Sequence, residues 1–86
     1  MKVKTTKGPH RIIVAQVVGA VTLDADETEE CLESTNIKTY YVNDPPLDRL
    51  TILMIWYRSG FKELLVFCNE DHRDKFYQFL KIDAKL

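Results

Sequence analysis

The chain has 86 residues with 45% hydrophobic and 29% charged residues, the proportions of one globular domain spanning 1–86 rather than of a disordered or multidomain protein. A net charge of −1 sets up no global field that would favour nucleic acid or a membrane surface. Two cysteines, Cys31 and Cys68, are too few for a secreted disulfide scaffold, so a soluble protein of a reducing, cytoplasmic compartment is expected.

Residues 1–7 have a basic start but no apolar h-region, which argues against a signal peptide. The most apolar run, Leu50 to Tyr57, is far short of the ~20 residues a membrane-spanning helix needs. Charge is unevenly placed along the chain. Lys2, Lys4, Lys7 and Arg11 precede the first acid, and Asp24, Asp26, Glu27, Glu29, Glu30 and Glu33 then crowd one segment. A basic arm and an acidic patch on one small body can neutralise each other, the simplest reading of both.

Residues 2–6 alternate and suit a short edge strand whose lysines discourage edge-to-edge pairing. Lys7-Gly8-Pro9-His10 has the chemistry of a turn. From Arg11 to Leu23 β-branched residues dominate, predicting one strand buried on both faces for part of its length, with a bulge or bend at Gly19. Asp24 to Ser34 suits a short surface helix with an acidic first turn. Residues 36–42 return to strand composition, and Asn43-Asp44-Pro45-Pro46 forms a rigid corner.

The unit from Leu50 to Leu80 carries the most information. Leu50–Tyr57 and Phe61–Cys68 are apolar runs separated by Arg58-Ser59-Gly60, the pattern of a β-hairpin. A three-residue loop with Gly60 in the left-handed region places Tyr57 opposite Phe61 and Leu53 opposite Leu65. A two-residue Ser59-Gly60 turn would exchange the partners, and the residues alone leave both open. Asn69 then caps a helix with Glu70 and Asp71 in its first turn, an Asp71–Lys75 pair, and Phe76, Phe79 and Leu80 on one stripe.

The expected fold is α+β: a bent antiparallel sheet of about five strands, order ββαβββα, closed by a C-terminal amphipathic helix, with a small half-barrel as one way to finish it. The segment Asn69-Glu-Asp-His-Arg-Asp-Lys-Phe-Tyr-Gln-Phe-Leu80 is similar to the end of pleckstrin-homology-like domains. That resemblance covers the last third of the chain and implies only architecture, a helix plugging a bent sheet; it carries no implication about a ligand.

Chemistry is sparse. His10, Cys31 and Cys68 are too dispersed for a structural zinc site, and Cys68-x-x-x-His72 crosses a strand-to-helix junction. Cys68 lacks an orienting group or oxyanion hole, and the three glycines form no phosphate cradle. Hence no catalytic residue, metal or cofactor is expected, and the protein is read as a non-enzyme.

Trp56, Tyr57, Arg58, Phe61 and Lys62 combine the residue types enriched at interface hot spots. Both hairpin faces are apolar while the helix has one stripe, so a monomer would leave one face bare and pair with a second copy or another protein. The leading expectation is a protein-interaction module: an adaptor, subunit or small inhibitor, of the kind found as viral or mobile-element accessory proteins. Its surface would be the 56–62 hairpin, with Glu27 and Glu30 at an acidic rim. The alternative is a nucleic-acid binder using Lys2, Lys4, Lys7 and Arg11 with the aromatic tip. A third, a small-ligand carrier, needs an internal cavity.

Overall fold

The computed structural model describes residues 1–23, 37–42 and 51–86. The helix expected over Asp24–Ser34 and the corner at Asn43–Pro46 lie outside the described residues. So do Cys31 and the proposed rim residues Glu27 and Glu30.

Six strands and one helix are described: β1 Lys2–Thr5, β2 Gly8–Arg11, β3 Val17–Leu23, β4 Ile37–Tyr41, β5 Thr51–Tyr57, β6 Lys62–Phe67 and α1 Glu70–Ala84. A single 3₁₀ turn, Val14–Gln16, precedes β3. The protein is α+β as expected, but its sheet is mixed and open rather than antiparallel, with strand order β3-β5-β6-β4 beside a separate β1-β2 ribbon. β4 runs parallel to β6. The hairpin makes β5 and β6 antiparallel neighbours, and β4 joins at the edge of β6 that β5 leaves free. The direction it takes there depends on the connections at its ends, which residue alternation does not encode.

The strand expected over Arg11–Leu23 is two strands. Gly8–Arg11 pairs with β1, and the 3₁₀ turn redirects the chain before Val17. The ribbon's turn is Thr6-Lys7 rather than residues 7–10. Thr5 Oγ1 closes it, donating to the Gly8 carbonyl at 2.6 Å and accepting from the Lys7 amide at 3.2 Å. The Thr5 hydroxyl thus braces the turn, Gly8 supplies the positive φ expected of it at +107°, and Pro9 sits in the ribbon opposite Lys4. The irregularity expected at Gly19 is present as a register shift between Val17 and Gly19. β3 is an edge strand, and only Val17 within it is fully buried.

The hairpin takes the three-residue alternative. Tyr57 N–H donates to the Phe61 carbonyl, Gly60 N–H donates to the Tyr57 carbonyl, both at 2.9 Å, and Gly60 has φ +88°. Leu53 faces Leu65 and Trp56 faces Lys62. As the two central strands, β5 and β6 bury Ile52, Leu53, Ile55, Leu64, Leu65, Val66 and Phe67 completely, which explains why both runs read as unbroken apolar sequence.

One face of the sheet packs against Leu80 of α1, Val3 of the ribbon and Ile12 just after it, with Leu53, Ile55, Leu65 and Phe67 as its floor. On the other face Ile52, Leu64 and Val66 form a second cluster with Leu23, Ile37 and Met54 at its margin. That second cluster is at 0% exposure within a single copy, so the bare apolar face inferred from the surplus of hydrophobic residues does not exist at these positions.

α1 begins as expected: Asn69 Oδ1 accepts from the His72 amide at 3.1 Å. Its buried stripe is different. Leu80, Phe76, Tyr77 and Ala84 face the core, whereas Phe79 is 61% exposed. Arg73 docks the helix on β3 by donating to the Leu23 carbonyl at 3.2 Å, and the Tyr77 hydroxyl donates to the Ala20 carbonyl at 3.4 Å. Asp71 and Lys75 make no ion pair; among the described residues the helix's ion pair is Arg73–Asp74. No described helix is long and apolar enough to cross a membrane.

Candidate functional site

Strand alternation divides the aromatic tip. Because Trp56 pairs with Lys62 and Tyr57 with Phe61, the first two side chains emerge on one side of the hairpin and the second two on the other. Arg58 is exposed between them. Trp56 is half-buried, its ring 3.5 Å from where a Cβ on Gly19 would stand. Thus the five hairpin residues expected to act together form two groups.

The Tyr57–Phe61 side is the more developed. Their ring centroids lie 6.1 Å apart at 41°. The 3₁₀ turn is held against the tip because the Arg58 amide donates to the Gln16 carbonyl at 2.7 Å. This brings Ile13 and Gln16 beside the rings and creates a cleft of about 260 Å³, with Arg11 and Glu63 also lining it. Ile13 is 54% and Phe61 40% exposed. The cleft therefore has accessible apolar walls, a cation on its lining and a carboxylate as its least exposed member.

Glu63 is the residue that composition hides. It is a buried acid at 6% exposure on a central strand, facing Ile55. Its Oε2 accepts from the Tyr57 hydroxyl at 2.8 Å and pairs with His10 Nε2 at 2.9 Å. With a carboxylate as acceptor, His10 carries a proton on Nε2. The His10 ring is stacked on Tyr40, centroids 4.0 Å apart and 17° from parallel. One acid thus links the ribbon, the sheet's β4 edge and the hairpin tip. Burial, and then the bond to Glu63, raise the Tyr57 phenol far above its ordinary pKa, so Tyr57 serves this site as a fixed donor.

Sequence reading missed Glu63, Ile13 and Gln16 as site residues. For Glu63 a signal was present. In the three-residue register its alternation phase matches Leu65 and Phe67, which puts a carboxylate on an inward face and demands partners there. Ile13 and Gln16 reach the tip only through the 3₁₀ turn, which nothing local announces.

The four basic residues of the amino-terminal arm are all exposed. Lys2 lies directly opposite Arg11 in the ribbon, and Lys4 opposite Pro9, so Lys2, Lys4 and Arg11 share the outward side, away from buried Val3. Lys7 lines a separate cleft of about 310 Å³ with Lys38, Thr5, Thr6 and Thr39. Cys68 is a free, half-buried thiol, and His72 packs edge-on against Phe67 at 5.1 Å. Among the described residues no group of three or more His, Cys, Asp or Glu could hold a metal ion.

Comparison with protein-family models, curated proteins and solved structures gives no match to this chain.

Proposed function

We propose that this domain is a non-enzymatic protein-interaction module, acting as a subunit, adaptor or small inhibitor through the Tyr57–Phe61 side of the hairpin tip. The observation that carries this reading is the cleft itself: exposed Ile13 and Phe61 beside Arg11, above a buried acid. Exposed aromatic and arginine side chains around a recess are what interface hot spots are made of. Because Ile52, Leu64 and Val66 are covered within one copy, the reading no longer needs the sheet face. Trp56 and Lys62 extend the surface around the tip, and a second copy of the chain is one partner it could take.

Affinity capture from the native host with wild-type protein and a Phe61→Asp variant tests the reading, alongside light scattering of both. A partner, or a dimer, held by wild type and lost in Phe61→Asp supports it. Association unchanged by Phe61→Asp would place the interface elsewhere.

A second reading, nucleic-acid binding, is favoured by one observation: Lys2 and Arg11 stand directly opposite each other. Like charges in that position destabilise a ribbon unless an anion bridges them. Phosphate contacts by Lys2, Lys4, Lys7 and Arg11 predict affinity falling with salt at a log–log slope approaching about −3 to −4. Absence of a mobility shift with single- and double-stranded probes at low salt ends that reading.

A further inference from the structure

We infer that the cleft at the hairpin tip receives a lysine side chain of the partner protein, with its ammonium on Glu63 Oε1 and its alkyl stem between Ile13 and the rings of Tyr57 and Phe61. This rests on the interaction reading and names the chemistry of what is bound.

Three observations support it. First, both hydrogen bonds to Glu63 fall on Oε2, from Tyr57 and His10. Its Oε1 has no donor among the described residues, although the side chain is only 8% exposed. A carboxylate oxygen this buried needs a donor, and Glu63 lines an open cleft through which one can arrive. Arg11 lines the same cleft, yet it makes no ion pair with Glu63 among the described residues.

Second, the cleft has room for a side chain but is small for a whole ligand. The cleft's volume of about 260 Å³ lies below the 300–1,000 Å³ of pockets that enclose whole small molecules. Third, the walls suit the alkyl stem, while the charge preference comes from Glu63. Ile13 and Phe61 offer apolar surface, and the Tyr57 and Phe61 rings sit 6.1 Å apart, so a methylene chain packs along them while its charge reaches the carboxylate.

Lysine fits better than arginine for a stereochemical reason. A guanidinium is matched to both oxygens of a carboxylate, and here Oε2 is already occupied twice. A compact ammonium needs only the one oxygen left. Arg11 at the cleft is then a like charge that weakens the site without closing it.

The test is a titration of ¹⁵N-labelled protein with Nα-acetyl-lysine-N-methylamide, following the Ser59, Phe61 and Glu63 amides. The norleucine analogue, with the same stem and no charge, and the arginine analogue are the controls. Saturable shifts with lysine, about tenfold weaker with norleucine, weaker with arginine, and tighter in Arg11→Ala support the assignment. Glu63→Gln should erase the advantage of lysine over norleucine. Equal binding of lysine and norleucine to wild type overturns it, and that comparison stands even if Glu63→Gln fails to fold. Partner capture separates the two levels. Association lost in Phe61→Asp but kept in Glu63→Gln removes the lysine assignment and leaves the interaction surface. Association indifferent to both removes the surface as well.

Discussion

The Tyr57 hydroxyl donates to Glu63 Oε2 at 2.8 Å, joining two residues that lie diagonally on adjacent strands and on one face of the sheet. This bond is the hinge between the hairpin's role in the core and its role at the surface. Removing the hydroxyl by Tyr57→Phe leaves Oε2 with His10 alone and should cost about 1–3 kcal/mol, measured by denaturant unfolding. Glu63→Leu, which leaves no carboxylate to satisfy, should cost less than Glu63→Ala, which also opens a cavity.

The same bond predicts a pH dependence. The Tyr57 phenol titrates well above its ordinary 10.0, through burial first and the Glu63 bond second. The folded state therefore prefers the protonated phenol. That contribution is complete below pH 10 and is lost as pH rises beyond it, because the unfolded chain can release the proton and the folded one cannot. Ultraviolet titration should show a tyrosine step delayed beyond pH 10 that disappears in Tyr57→Phe. An unchanged titration in that variant would contradict the geometry.

Two glycines should respond in opposite directions to alanine. Gly60 has φ +88° with open space where a Cβ would stand, so Gly60→Ala is opposed by backbone conformation alone, costing about 1–2 kcal/mol. Gly19 has no positive φ, and its Cβ would meet Trp56 Cε3 at 3.5 Å, ordinary contact. Gly19→Ala should be neutral or stabilise by up to about 1 kcal/mol. Thermal unfolding of the pair checks the assigned register.

The helix end offers a gain. Lys85 has φ 56° in the left-handed region, with Leu86 N–H donating to the Lys81 carbonyl at 2.9 Å and Lys85 N–H to that of Ile82 at 3.3 Å. This is a Schellman termination carrying a side chain where glycine is preferred. Lys85→Gly should stabilise by about 1 kcal/mol, or roughly 4–8 °C in Tm.

The buried stripe of α1 can be read by two neighbours. Leu80 is at 0% exposure and Phe79 at 61%, so Leu80→Ala should cost about 2–5 kcal/mol and Phe79→Ala within about 0.5 kcal/mol. Equal losses would mean that the helix presents a different face to the sheet.

The residues by themselves determined the elements whose cause is local. Alternating and continuous apolar runs specified β5 and β6, Arg58-Ser59-Gly60 offered the turn between them, and Asn69 marked the start of α1. A glycine turn, a helix cap and strand periodicity all act within a few residues, so the chain displays them in order. What it does not display is which strand lies beside which. The parallel pairing of β4 with β6, the division of Arg11–Leu23 by a 3₁₀ turn, and the exposure of Phe79 rather than Tyr77 each follow from packing between segments far apart in sequence.

The candidate site divides the same way. Tyr57, Arg58 and Phe61 were legible as a dense local mix of hot-spot residues, but their separation from Trp56 and Lys62 required the hairpin register. Glu63 became a site residue only when the fold brought His10, from fifty-three positions away, to its oxygen. A buried carboxylate draws its meaning from its partners, and partners at that separation are chosen by tertiary packing rather than by the sequence around them.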